Sequence, residues 1–171
     1  MNSPIAVIRS VLTVTPARWM ALTASLPEAL LKRPPAPGEW SALQCLHHML
    51  AIEHGVFLAR VNNLLAGEDF AAYDPDAAGA TQSGGDPAAV AADFAAKRAE
   101  TLIALERVTE AELGRTARHA ELGQVTLGQL LHEWVAHDLM HTMQGEQALM
   151  QPFIAECGPW QSYFTAHIAG A

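Results

Sequence analysis

Nineteen residues near the C-terminal end of the chain, Thr126 to Gln144, constrain the fold more than any other stretch. They read as one amphipathic helix. Thr126 is the N-cap, and Gln129, three residues on, completes a capping box by reaching back to the Thr126 amide. Leu127, Leu130, Leu131 and Trp134 then recur at helical spacing. At about 100° per residue, His137 and His141 fall on the same stripe as Leu130 and Trp134, and so point where the core should be. Two imidazoles four residues apart on an inward face are a common way for a helix to grip a metal ion. The competing reading is a pair of core histidines satisfied by hydrogen bonds.

Such a helix needs partners, and the composition says that they are helices too. Half of the 171 residues are hydrophobic and 16% are charged, which fits one globular domain with a good core. Ala, Leu and Glu are abundant, whereas β-branched residues and aromatics are sparse, so an all-α fold is expected. The net charge is −8, and the few Lys and Arg are scattered. Phosphate binding needs concentrated positive charge, so neither nucleic acid nor an anionic membrane surface is expected as a partner. Cys45 and Cys157 make no disulfide framework. Cys45 lies in an apolar helical stretch and reads as a small core residue. The N-terminal residues lack the pattern of a signal peptide, and no run approaches the roughly 20 apolar residues of a membrane span. A cytoplasmic location follows as the expectation.

Taken in order, Ser3-Pro4 opens a short helix to about Thr13, and Thr15-Pro16 opens the first main helix, to about Ser25. Glu28 to Lys32 adds a turn. The prolines and glycine between Arg33 and Trp40 break the chain. Ser41, with Gln44 as capping-box partner, starts the second main helix, which runs to about Ala66 and stops at Gly67. Its two adjoining apolar stripes touch two neighbours, as in a bundle. Residues 67–86 form a long connection that suits an overhead crossing between helices that are not antiparallel neighbours, part of it poorly ordered. Asp86-Pro87 caps the third main helix, to about Val108. Thr109 and Glu112 cap a further turn, and Gly114 to Val125 is irregular with short extended pieces. The fourth main helix is the opening stretch, ending near Leu149 with Pro152 beyond it. The last segment, Phe153 to Ile168, folds back as a loop and short helix. The expected architecture is an all-α four-helix bundle with a long crossover between helices 2 and 3.

A metal site that keeps an open position wants a third protein ligand. The chain has eight histidines, and the second main helix offers His47, His48 and His54, with Glu53 beside them. Helical periodicity does not choose among these. Glu53 lies on the main apolar stripe, where an unpaired carboxylate would be costly. It is therefore either ion-paired, with Arg60 as the candidate partner, or a ligand, an orienting group or a general base. The run from His132 to His137 looks like the zinc-protease motif, but its histidines are five apart and cannot share a helical face, so that reading is rejected.

Two stretches resemble a known family. Gly38 to Glu53 is similar to the opening of the DinB-like superfamily: a Trp-Ser/Thr pair, a His eight residues after the Trp, and an acidic or polar residue five further on. Thr126 to Gln144 resembles that family's final His-x-x-x-His helix ending in Gln, and Gly158-Pro159-Trp160 resembles a subgroup. These are metal-binding four-helix bundles, with bacillithiol and mycothiol S-transferases among the relatives. The resemblance implies a divalent ion, zinc or nickel, on His48, His137 and His141, and a homodimer.

Three neutral imidazoles leave a divalent ion most of its charge, which lowers the pKa of a water or thiol bound to it. Two reaction types follow. One is attack of a low-molecular-weight thiol on a small electrophile, as in an S-transferase or isomerase, which the resemblance favours. The other is hydrolysis of a small molecule. A non-catalytic bundle holding a metal or ligand is the third reading. For a carboxylate-rich thiol, Arg60, Lys97 and Arg118 are scattered anchors. The homodimer is checked by light scattering: a mass twice that of the chain is expected, and a monomer mass contradicts it.

Overall fold

A computed structural model describes residues 3–73 and 82–170. Its main elements are α1 (Pro4–Ser25), α2 (Glu28–Lys32), α3 (Ala42–Gly55), α4 (Phe57–Ala66), α5 (Pro87–Ala104), β1 (Thr116–His119), β2 (Gly123–Thr126) and α6 (Leu127–Glu156). Four long bodies, α1, α3–α4, α5 and α6, form the bundle. α5 packs against α1 and α3, and α6 packs against the same two from the other side.

Helix directions follow from which residues meet. Leu43, early in α3, clusters with Val90, early in α5, while Glu53, late in α3, meets Arg98 further along α5; the two run parallel. α1 and α6 are parallel by the same reasoning, since Ile8 clusters with Leu131 and Arg18 pairs with Glu146. Parallel neighbours need a connection that travels back along the bundle, which is the crossover expected between the second and third main helices. Residues 74–81, within the connection in which poor order is expected, lie outside the described residues.

Several boundaries differ from the sequence reading, each for a local reason. α1 is one helix that runs through Pro16. A proline inside a helix removes the hydrogen bond to the carbonyl four residues earlier. Here that carbonyl, Leu12 O, accepts from Arg98 Nη1 at 2.9 Å instead. By length and composition a helix like α1 could cross a membrane, contrary to the expectation from the sequence. Its stripe of Ile8, Leu12, Thr15, Pro16 and Trp19 is buried in the bundle, and Arg9 and Arg18 on it pair with Glu106 and Glu146. The second main helix is kinked at Val56, whose φ of −117° and ψ of −68° separate α3 from α4. The bonds Val56 N–H to Ile52 O and Arg60 N–H to Val56 O still carry the ladder across the kink.

α5 ends at Ala104 and tightens into a 3-10 turn, Leu105–Arg107, before Val108. α6 passes Pro152 and reaches Glu156, because Ile154 beyond the proline is buried and anchors the last turn. Gly158–His167 is a 3-10 helix. The irregular stretch before α6 is a hairpin in which Thr116 pairs with Thr126 and His119 with Gly123. Gly123, at φ +76°, supplies the left-handed residue that closes its three-residue turn. The three capping boxes, at Ser41, Thr109 and Thr126, are all formed.

The apolar core is in two parts. One gathers Leu12, Ile52, Phe57, Leu127, Leu131 and Trp134; the other gathers Trp19, Leu43, Leu46, Met49, Val90 and Phe94. Gly145 belongs to the packing of the second part, because a Cβ there would lie 2.5 Å from the Trp19 ring. At the level between the two parts lies a polar cluster. Arg98 is 1% exposed and is sandwiched between the rings of Phe94 and Trp134, its Cζ 5.0 and 5.3 Å from their centroids. It donates twice to Asp138, at 2.6 and 3.1 Å, and pairs with Glu53 at 2.8 Å. Arg98, not Arg60, is thus the partner of Glu53. Arg60 lies further on, beyond the kink at Val56. Burial opposes the charge of Arg98, but the hydrogen bonds and charge of Asp138, then of Glu53, outweigh it and hold its pKa above the ordinary value.

Removing the guanidinium would leave two buried carboxylates unpaired, a loss of about 3–5 kcal/mol. Arg98→Met is expected to lower the urea midpoint accordingly, and an unchanged midpoint would show that the cluster does not hold the helices together.

Candidate metal centre

His48 comes from α3, and His137 and His141 come from α6, which runs antiparallel beside it. The i, i+4 spacing stacks the two α6 imidazoles on one face. The capping box at Ser41 sets the start of α3 and hence the rotation that turns His48 towards them. One ring nitrogen from each of the three histidines lies within 4.8 Å of the others. His48 Nε2 faces His137 Nε2 at 3.1 Å. Two nitrogens bound to one tetrahedral zinc at about 2.05 Å would be roughly 3.3 Å apart, so the spacing is already that of a chelate.

With one of these nitrogens protonated the pair makes an N–H···N hydrogen bond; with neither protonated both lone pairs face one point, where a cation would sit. His141 Nδ1–H donates to Gln144 Oε1 at 2.9 Å, which fixes the tautomer and leaves Nε2 with its lone pair free. Trp40 stacks on His141 with centroids 5.8 Å apart and lies 5.1 Å from His48. Burial pushes His48 down from 6.5 to about 4, aided by the charge of His141. Burial likewise pushes His137 down to about 3, aided by the charges of His141, His48 and Arg98. His141 is also lowered, again by burial, while Gln144 and Asp138 pull the other way. The donors are therefore neutral imidazoles at neutral pH, the form that binds a metal. The residues fit a divalent ion.

The three histidines open onto a cleft of ≈360 Å³, whose walls include Trp40, Phe57, Arg60 and Glu133. Glu133 precedes His137 by one helical turn and stands at the mouth of the cleft, where it is exposed to solvent. Crowding by surrounding atoms raises its pKa, Arg60 opposes this, and Asp138 adds to it. Burial lowers the pKa of Arg60, and Glu133 raises it.

The other candidates lie elsewhere. Glu53 is 1% exposed, bound to Arg98, and does not line the cleft. His47 Nε2 bonds to the carbonyl of Gly84 at 2.7 Å, at the start of the α5 segment. His54 and His132 are exposed, and His132 Nδ1–H donates to Gly128 O. Among the thiol anchors only Arg60 reaches the cleft; Lys97 pairs with Glu100. Sequence reasoning missed Glu133 as a site residue, because it was weighed only within the rejected protease motif. Its position four before His137 was the available signal.

A helical bundle whose second and fourth main helices bring three inward imidazoles to one cleft defines a class of metal-site bundles. The DinB superfamily model matches residues 12–144, and the chain belongs to that superfamily. No curated protein sequence matches the chain. Among solved structures, YfiT from Bacillus subtilis, described as a probable metal-dependent hydrolase with an unusual four-helix bundle topology, is similar over 85% of each chain, with a TM-score of 0.71 and 22% identity. That likeness shows the shared fold.

The lowered histidine pKa values make the metal-stripped protein pH-sensitive. Between about pH 6.5 and 4 the unfolded chain takes up protons that the folded imidazoles refuse, so stability falls as the pH drops through this window. Urea denaturation after chelation is expected to show a lower midpoint at about pH 5 than at about pH 7.5. Equal midpoints would mean that the imidazoles titrate normally in the fold.

Proposed function

We propose that the chain is a metal-dependent hydrolase of a small molecule, with a divalent ion, zinc or nickel, held by His48, His137 and His141. The observation that carries the reading is Glu133: a carboxylate lines the same cleft as the three imidazoles, one helical turn from His137. Bound there, the ion supplies Lewis acidity and acidifies a water. The chain's own groups do the rest. Glu133 accepts a proton from the attacking water and passes it to the leaving group, a role suited to a carboxylate whose pKa is raised. Arg60 offers N–H donors to an oxygen that gains charge. Gln144 and Trp40 hold the His141 ring. Glu53 acts through Arg98 as part of the packing and takes no part in the chemistry.

The description of YfiT supports hydrolysis as the reaction type. The second reading is thiol S-transfer, in which Arg60 would hold the carboxylate of a low-molecular-weight thiol. It is favoured by the resemblance of the two histidine-bearing stretches to that family, and weakened because Arg60 is the one Arg or Lys among the described residues that line the cleft.

His137→Ala is expected to lose bound metal by elemental analysis of protein purified without an affinity tag. Glu133→Gln should keep the metal and lower kcat about 10²–10⁴-fold on a panel of esters and amides. Turnover that requires an added thiol would favour transfer over hydrolysis. Full metal content in His137→Ala would overturn the centre itself.

A further inference from the structure

Beyond the metal cleft lies a second pocket of ≈170 Å³, under the β-hairpin, walled by Phe70, Leu122, Val125 and Leu130. Arg60 and Glu133 line both spaces, so they form the waist between them. This arrangement is built by specific contacts. Phe70 N–H donates to Arg118 O at 3.0 Å, and Ala120 N–H donates to Phe70 O at 3.1 Å, which pins the chain after α4 onto the edge of β1. The Phe70 ring then supports Arg60, whose Cζ sits 5.5 Å from the ring centroid. His119, edge-on to Phe70, accepts the Glu121 and Leu122 amides on Nδ1 and so holds the hairpin turn over the pocket. Its Nε2 therefore carries the proton. Among the described residues, no carboxylate lies within ion-pair distance of Arg60.

The pocket and its waist have different chemistry. The pocket is mostly apolar, with His119 and Gln129 as polar groups on its wall away from the waist, and its volume is close to the about 150 Å³ of an engineered apolar cavity that takes benzene, a six-carbon ring. The waist presents the Arg60 guanidinium on one side, its Nη2 also donating to Ala71 O at 3.5 Å, and a carboxyl group on the other. A hydrocarbon group fits the first, and a carbonyl fits the second, its oxygen towards Arg60 and its bound N–H or a water towards Glu133. We infer that the hairpin pocket is the acyl subsite of this protein: it takes an unbranched or monocyclic acyl group of about six carbons, carried by an amide or ester whose carbonyl sits between Arg60 and Glu133. Binding stands independently of the reaction; the cleavage that follows rests on the hydrolase reading. In that cleavage the water oxygen adds to the carbonyl carbon and the carbon–heteroatom bond breaks. A water proton passes through Glu133 to the departing nitrogen or oxygen, and the carboxylic acid is left in the pocket.

The test titrates unbranched alkanamides, from acetamide to octanamide, into the zinc-loaded protein and reads affinity by calorimetry and by amide shifts of the hairpin. Each added methylene buried should tighten binding about fourfold, up to roughly six carbons, after which the gain stops. Val125→Phe, which fills the pocket, should end the gain at about three carbons. Leu122→Asp, at a rim residue that is 73% exposed and so free of core packing, should weaken hexanamide binding about tenfold. Affinity that ignores chain length, or variants that follow the wild-type series, would overturn the subsite. A length-dependent series without hydrolysis of the matching hexanoyl esters would keep the subsite and remove the hydrolase reading.

Discussion

Arg98 reaches every long body of the bundle. It projects from α5, bonds Leu12 O on α1, pairs with Glu53 on α3 and makes a forked pair with Asp138 on α6. A buried guanidinium is tolerated only when its charge is met, and here two carboxylates and a carbonyl take its Nη1 and Nη2 groups while the Phe94 and Trp134 rings lie against it. The proline in α1 is part of the same device, since it frees the Leu12 carbonyl that Arg98 takes. Four helices are thereby set at one level along the bundle axis, because a forked ion pair has one geometry, whereas apolar cores keep their fold through many changes of shape.

The site depends on that level. Glu53 is five residues after His48, and Asp138 follows His137 directly, so the pairing that fixes α3 against α6 also fixes His48 against His137 and His141. The charge of Arg98 is felt by His137 and helps to keep it neutral. One buried cation thus fixes the spacing of the imidazoles, while burial keeps them neutral, with Arg98 adding to the effect at His137 alone. It places the cleft where the two apolar clusters part, with Trp40 from the proline-rich loop closing against His141.

Much of this was legible in the chain. Ser41 with Gln44, and Thr126 with Gln129, marked two helix starts, because a capping box is a contact within four residues. His137 and His141 read as an inward pair, because the 3.6-residue period decides which side chains share a face. Helix ends read less well. Pro16 and Pro152 looked like boundaries, yet both lie inside helices, one because a distant arginine replaces the lost hydrogen bond, the other because Ile154 is packed beyond it. Arg98 itself was readable as an oddity, since it sits on the stripe of Phe94 four residues earlier. Its partners were not. Arg60 was the nearer candidate for Glu53 in sequence, and the kink at Val56 lies between them.

Sequence alone thus determined the helical class, the faces that turn inward, the long crossover and the two α6 imidazoles, all of which follow from local propensity and periodicity. Helical periodicity left His47, His48 and His54 open, the family resemblance pointed to His48, and the tertiary structure brings His48 to His137 and His141. Only the tertiary structure decided that Glu53 answers to Arg98 and that Glu133 and Arg60 line one cleft. These pairings join residues far apart in the chain, and their geometry is set by how whole helices pack, which no local pattern encodes.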